Sequence, residues 1–135
     1  MSPVEIFHKM YNHDPFSQWL GIELVAIGEG TCTVRMTVRA EMLNGFGVAH
    51  GGISFSLADS AFAFACNTRG RHTVSVHCTI EHIAPVFEGD VLTAVAREEN
   101  YGKTLSHYAI TVTKQDGTSA AFFRGVAFQK KEEWA

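Results

Sequence analysis

Apolar and polar positions alternate strictly from Gly30 onward. Cys32, Val34, Met36 and Val38 fall on one side, with Thr31, Thr33, Arg35, Thr37 and Arg39 on the other. A period of two belongs to a strand with one buried face, so a strand is predicted here, with the preceding LGIELVAIGEG as its antiparallel partner. Four further strands are predicted at residues 72–83, 90–99, 104–114 and 119–129, each rich in Val, Thr, Ile and Phe. Asn100 to Lys103 and the Asp116-Gly117 pair mark hairpin turns between the last three.

Two segments break this period. Ile6, Phe7, Met10 and Tyr11 follow helical spacing, and Pro15 should end that short N-terminal helix. Gly51 to Arg69, GGISFSLADSAFAFACNTR, is too long for an ordinary strand and has no Pro or Gly after Gly52, which predicts a helix. Phe55, Leu57, Ala58, Ala61, Phe62, Ala63, Phe64 and Ala65 surround its axis, and a helix apolar nearly all round is a buried one. Strands flanking one such helix predict an α+β fold, an antiparallel sheet of five or six strands curled around it.

The length of 135 residues then implies a single domain spanning residues 1–135, with no repeat or linker to divide it. A formal charge of −3 and the absence of a basic block argue against nucleic acid as a partner. Glu5, Lys9 and Asp14 interrupt the stretch that an export signal would need. The longest run without Asp, Glu, Lys or Arg, Met42 to Ala58, contains glycines, Asn44 and His50, so no membrane span is expected and the chain should be soluble. Cys32, Cys66 and Cys78 form no CxxC pair, which fits free thiols in a reducing, cytoplasmic setting. All three are expected to pack in the core. His72, His77 and His82 lie five apart and would alternate between strand faces, and no zinc-ligand spacing occurs, so no metal is expected.

Asp59 is the only charged residue between Glu41 and Arg69, near the middle of the predicted buried helix. Burying an isolated carboxylate is costly, so it should be paired, hydrogen-bonded or facing a pocket; otherwise it belongs to a narrow exposed stripe with Ser56, Ser60 and Asn67. Immediately before the helix stands NGFGVAHGG, Asn44 to Gly52. Glycines let backbone approach a ligand, and the first N–H groups of a helix lack internal partners, so this turn is a candidate site for a developing oxyanion. By spacing alone the preferred reading is a glycine turn, with His50 satisfied by loop backbone.

Gly51 and Asp59 are eight residues apart, or about 12 Å along one helix axis. One helix cannot bring both to a single carbonyl, because a carboxylate acting there must come within about 3 Å of the substrate or its water. If both act on one substrate they come from different subunits, which predicts active sites at a two-fold dimer interface.

The pattern Asn44-Gly45-x-Gly47-x-x-His50-Gly51-Gly52, followed by Leu57-Ala58-Asp59 and a helix rich in small residues, resembles the hotdog-fold acyl-CoA thioesterases of the PaaI type. The likeness extends over most of the chain, since strands ordered around one long helix also match the hotdog fold. It implies hydrolysis of an acyl-CoA thioester by a homodimer, often paired into a tetramer, with no cofactor. Asp59 matches the family acid, serving as nucleophile or as general base for water. Gly51 matches the residue whose backbone N–H polarises the carbonyl, with Gly52 beside it, while His50 and Asn44 match polar groups that position the carbonyl or water. Ser75, on the strand after the helix, matches a hydroxyl that holds the water.

Arg124, Arg69, Arg71 and Lys103 are candidates for the phosphates of coenzyme A, and Phe62, Phe64, Phe122 and Phe123 for an acyl pocket. The suggested acyl groups are arylacetyl or medium-chain. Gly45 to His50 lacks the third glycine of GxGxxG, Arg97 stands where a phosphate loop ending Gly102-Lys103-Thr104 needs glycine, and no GxSxG elbow exists. Two other readings share the fold: a dehydratase acting on a 3-hydroxyacyl thioester through His50 and an acid, and a non-catalytic acyl-CoA binding module. A structural oligomer whose carboxylate is merely paired in the core is the fourth.

Overall fold

A computed structural model describes all 135 residues. The expected antiparallel sheet is present, with six strands: β1 (Glu23–Gly28), β2 (Thr31–Thr37), β3 (Arg71–His82), β4 (Val91–Tyr101), β5 (Leu105–Thr113) and β6 (Ser119–Glu133). The order across the sheet is β1-β2-β4-β5-β6-β3, and every neighbouring pair is antiparallel. β3 therefore leaves the central helix and crosses to the far edge of the sheet.

That central helix is the long apolar run, here α3 (Gly51–Asn67), two residues shorter at its end than the sequence predicts. The concave sheet face closes on it through the alternating positions of each strand: Cys32, Val34 and Met36 on β2, Leu92, Ala94 and Ala96 on β4, and Tyr108, Ile110 and Val112 on β5 are all buried. Leu57, Phe62 and Phe64 are buried against them, and each such side chain contributes about 1.5–3 kcal/mol relative to exposure. Small residues on the sheet make room for large ones on the helix. A Cβ at Gly125 of β6 would lie 2.7 Å from the Phe62 ring, so that strand position accepts only glycine without rearrangement.

The helix is not apolar all round. Ser56, Asp59, Ser60 and Ala63 form a half-exposed stripe at helical spacing, and two N-terminal helices flank it. α1 (Pro3–Tyr11) is capped by the Ser2 hydroxyl, and its buried Phe7 meets Phe64 edge-on at 4.7 Å. Pro15 does not merely stop this helix; it occupies the first turn of α2 (Pro15–Leu20). Asp14 caps α2 by accepting from Ser17 N–H at 2.9 Å, and left-handed Gly21 ends it. Ser17 Oγ lies 2.9 Å from Ser60 Oγ, tying α2 to the stripe.

β3 carries a register shift against β6 between Ser75 and His77. Such a bulge inserts one residue and changes the phase of the side chains that follow. Ser75 reaches the face of α3 before the shift, and Cys78, Ile80 and His82 reach it afterwards.

Candidate active site

Asp59 sits half-buried on the polar stripe of α3, in a cleft of about 270 Å³ lined by Met10, Phe62, Ala63, Cys66, Thr73 and Ser75. It has no cationic partner; the Cys78 thiol donates a weak hydrogen bond to its Oδ1 at 3.9 Å. Burial raises its pKa above the ordinary aspartate range, and the weak Cys78 contact opposes this only in part. The result is a carboxylate more basic than one in water, facing an apolar wall with a hydroxyl at its rim.

The glycine turn supplies the second group. Leu43 and Ala49 form a bridge, and between them Asn44 Oδ1 accepts from Phe46 N–H at 2.9 Å and Val48 N–H at 3.4 Å. His50 is the N-cap of α3, its Nδ1 accepting from Gly52 N–H at 2.8 Å, while its carbonyl takes Ile53 N–H at 2.9 Å. Of the first three N–H groups of the helix, Gly51's alone has no acceptor. This unspent donor stands at the positive end of α3 and is suited to a carbonyl oxygen that gains charge.

Gly51 opens into a different cleft, of about 390 Å³, lined by Val48, Ala49, Ser54, His82, Pro85 and Val86 among others. Gly52 and the exposed His50 border a third hollow with Phe16, Trp19 and Ser56. Within one chain, then, Asp59 and Ser75 are together, and Asn44, His50, Gly51 and Gly52 are together, but the two groups are separate. Arg124 joins neither; it projects from the outer face of β6 between the buried Phe123 and Gly125 and pairs with Glu99. Of the other candidate phosphate contacts, Arg69 is held by Glu98 at 2.7 Å and Glu29 at 3.2 Å. Arg71 donates to the backbone of Gln129 and Lys130. Phe62 alone of the four phenylalanines lines the Asp59 cleft; Phe64 and Phe123 are core, and Phe122 is exposed.

Cys78 beside Asp59 and His82 beside Gly51 are not singled out by sequence spacing. The bulge in β3 is what turns them toward α3, and no residue type announces it.

Residues 46–121 match the family model described as the Thioesterase superfamily. The acyl-coenzyme A thioesterase PaaI of Escherichia coli is 46% identical over 118 residues, covering 87% of this chain and 84% of that protein. The solved structure of the E. coli PaaI protein from the phenylacetic acid degradation operon matches with a TM-score of 0.95, at 41% identity over the structural alignment, covering 97% of this chain and 95% of that one. The smu.793 protein of Streptococcus mutans, solved bound to acetyl CoA, matches with a TM-score of 0.81 at 26% identity, covering 84% of this chain and 91% of that one.

Proposed function

The chain belongs to the thioesterase superfamily and has the hotdog fold, and on that footing we propose that it is an acyl-coenzyme A thioesterase with active sites shared between two protomers. The observation that carries this reading is an unpaired, half-buried carboxylate and an unspent backbone donor on one helix, too far apart to serve one carbonyl together. A two-fold arrangement lets Gly51 N–H of one protomer donate to the thioester oxygen while Asp59 of the partner subunit acts on the carbon.

Two balanced routes use these groups. As general base, Asp59 takes a proton from water; the water oxygen bonds to the carbonyl carbon, the C–S bond breaks, and the proton passes to the departing thiolate. As nucleophile, a carboxylate oxygen bonds to the carbon and expels the thiolate, and water then hydrolyses the mixed anhydride. In a single turnover in 18O-water, label in Asp59 identifies the second route, with water attacking the Asp59 carbon of the anhydride. Ser75 at the rim of the Asp59 cleft would hold the water, with His50 and Asn44 fixing the glycine turn on the other side. Arg124, exposed and able to exchange Glu99 for another anion, would meet the phosphates of coenzyme A.

The homodimer is the minimal unit in this reading, and a dimer of dimers the expected assembly. β3 is a sheet edge of 12 residues with Val74 and Val76 exposed, an edge that another strand would complete. Three free cysteines fit the cytoplasm, and no helix is long and apolar enough to cross a membrane. The small cleft walled by Met10, Phe62 and Ala63 favours arylacetyl or medium-chain acyl groups, with hydroxyphenylacetyl-CoA the first substrate to try.

Thiol release across a panel of acyl-CoA substrates tests the proposal. Turnover concentrated on arylacetyl or medium-chain members is expected. No thiol release from any member rejects it, and formation of an enoyl thioester without thiol release would identify a dehydratase instead.

A further inference from the structure

His82, at the end of β3, lies against the first residue of α3. A Cβ built on Gly51 would meet His82 Nε2 at 3.1 Å and Cε1 at 3.4 Å, so the imidazole covers the Gly51 α-carbon. The ring is held there by Ser54, whose buried hydroxyl is 3.3 Å from His82 Nδ1 and donates to the Gly51 carbonyl at 3.2 Å. A hydroxyl has one hydrogen, and Ser54 spends it on that carbonyl. Both contacts are satisfied together when Ser54 donates to the carbonyl and accepts from His82 Nδ1–H, the tautomer that leaves Nε2 as an acceptor. Gly51 is thus gripped at its α-carbon by the ring and at its carbonyl by the hydroxyl, while its own N–H stays free.

We propose that His82, acting through Ser54, is a positioning residue that sets the direction of the Gly51 N–H. A backbone donor stabilises an oxyanion only if it points at where the charge develops, and glycine, the residue with the widest choice of backbone angles, does not hold a direction by itself. The ring and hydroxyl remove that freedom. Because Gly51 is read here as the carbonyl donor, the inference rests on the proposed function, and its test needs a readout independent of turnover.

Two readouts are taken together on the full-length protein: steady-state thiol release, and the amide resonance of Gly51 in a 15N-labelled sample. His82→Ala and Ser54→Ala are each expected to lower kcat about tenfold with KM held within about twofold, because the loss falls on transition-state geometry rather than on substrate binding. The double variant should fall no further than either single one, since both break the same relay. The Gly51 resonance should move in both single variants. His82→Asn, whose amide nitrogen overlays Nδ1 and keeps the Ser54 bond, should recover part of the turnover; His82→Gln, whose nitrogen overlays Nε2, should not. Thermal melting of every variant confirms that a fold is present to be measured.

An unmoved Gly51 resonance in His82→Ala overturns the inference whatever the turnover. So do losses that multiply in the double variant, or recovery with Gln rather than Asn, which would make His82 a direct substrate contact. A resonance that moves in both single variants while kcat stays constant supports the grip on Gly51 and instead removes Gly51 from the chemistry.

Discussion

Gly51 and Asp59 stand on the same helix, eight residues and about 12 Å apart, and open into different clefts. Each is half of a hydrolytic centre by its own local chemistry. Gly51 offers a donor with no acceptor, and Asp59 a carboxylate with no cation. The separation follows from helix geometry and cannot be closed by side-chain motion, since one of the two groups is backbone.

Replacing Asp59 with alanine should reduce kcat by at least about a hundredfold, the lower end of what a positioned acid or base supplies. The helix should survive, because alanine is the best helix former and no ion pair is lost. Thiol release and circular dichroism on the same sample check both halves. Turnover near that of the unmodified protein would exclude Asp59 as the reacting acid.

The Asp59 carboxylate must be ionised to act on water or on the thioester. Burial raises its pKa, so the acidic limb of kcat/KM should lie above the pH at which an ordinary aspartate titrates. The same shift governs stability. A carboxyl whose pKa is higher in the folded than in the unfolded chain stabilises the fold while protonated, and that contribution is lost as pH rises through the folded value. At neutral pH ionised Asp59 is therefore a net cost, so Asp59→Asn should melt at a higher temperature than the unmodified protein at pH 7. The gap should close as pH falls below the unfolded pKa. Melting curves at several pH values decide it, and a lower melting temperature for the variant at neutral pH would contradict the assignment.

Gly125→Ala should destabilise the fold by about 1–3 kcal/mol, the usual range for overpacking a filled core. The added methyl lies 2.7 Å from the Phe62 ring, which also walls the Asp59 cleft. Turnover should fall along with the midpoint in denaturant, and combining the change with Phe62→Leu should recover part of both.

Much of this molecule is legible in its sequence, for identifiable reasons. The period-two alternation at residues 31–39 marks β2, and an uninterrupted apolar run of helical length marks α3. Asp59 stands out because it is the one charge in that run. Less legible is anything set by strand phase or by dual-purpose residues. Pro15 reads as a stop, yet proline suits the first turn of a helix as well as the end of one, and Asp14 before it is the cap that makes α2. The β3 bulge shifts which residues face inward, so Cys78 meets Asp59 and His82 meets Gly51 with no spacing rule to announce it. The alternation of β6 puts Arg124 on the outer face, outside both clefts of its own chain, a placement that its charge does not announce.

The shared-site account is tested most directly by mixing two inactive variants, Asp59→Ala and Gly51→Pro. Proline removes the Gly51 N–H and is tolerated at the first helical position, and His50 already has the extended backbone, ψ 139°, that precedes proline. The added Cβ, at 3.1 Å from Nε2, needs only the exposed His82 ring to give way. After subunit exchange, each mixed dimer holds one site with both Asp59 and the Gly51 donor intact. Half of the dimers in an equal mixture are mixed, so activity should return to about a quarter of that of the unmodified protein. Activity no greater than the sum of the two separate variants, in a sample shown to contain mixed dimers, would contradict the claim that two protomers build each site.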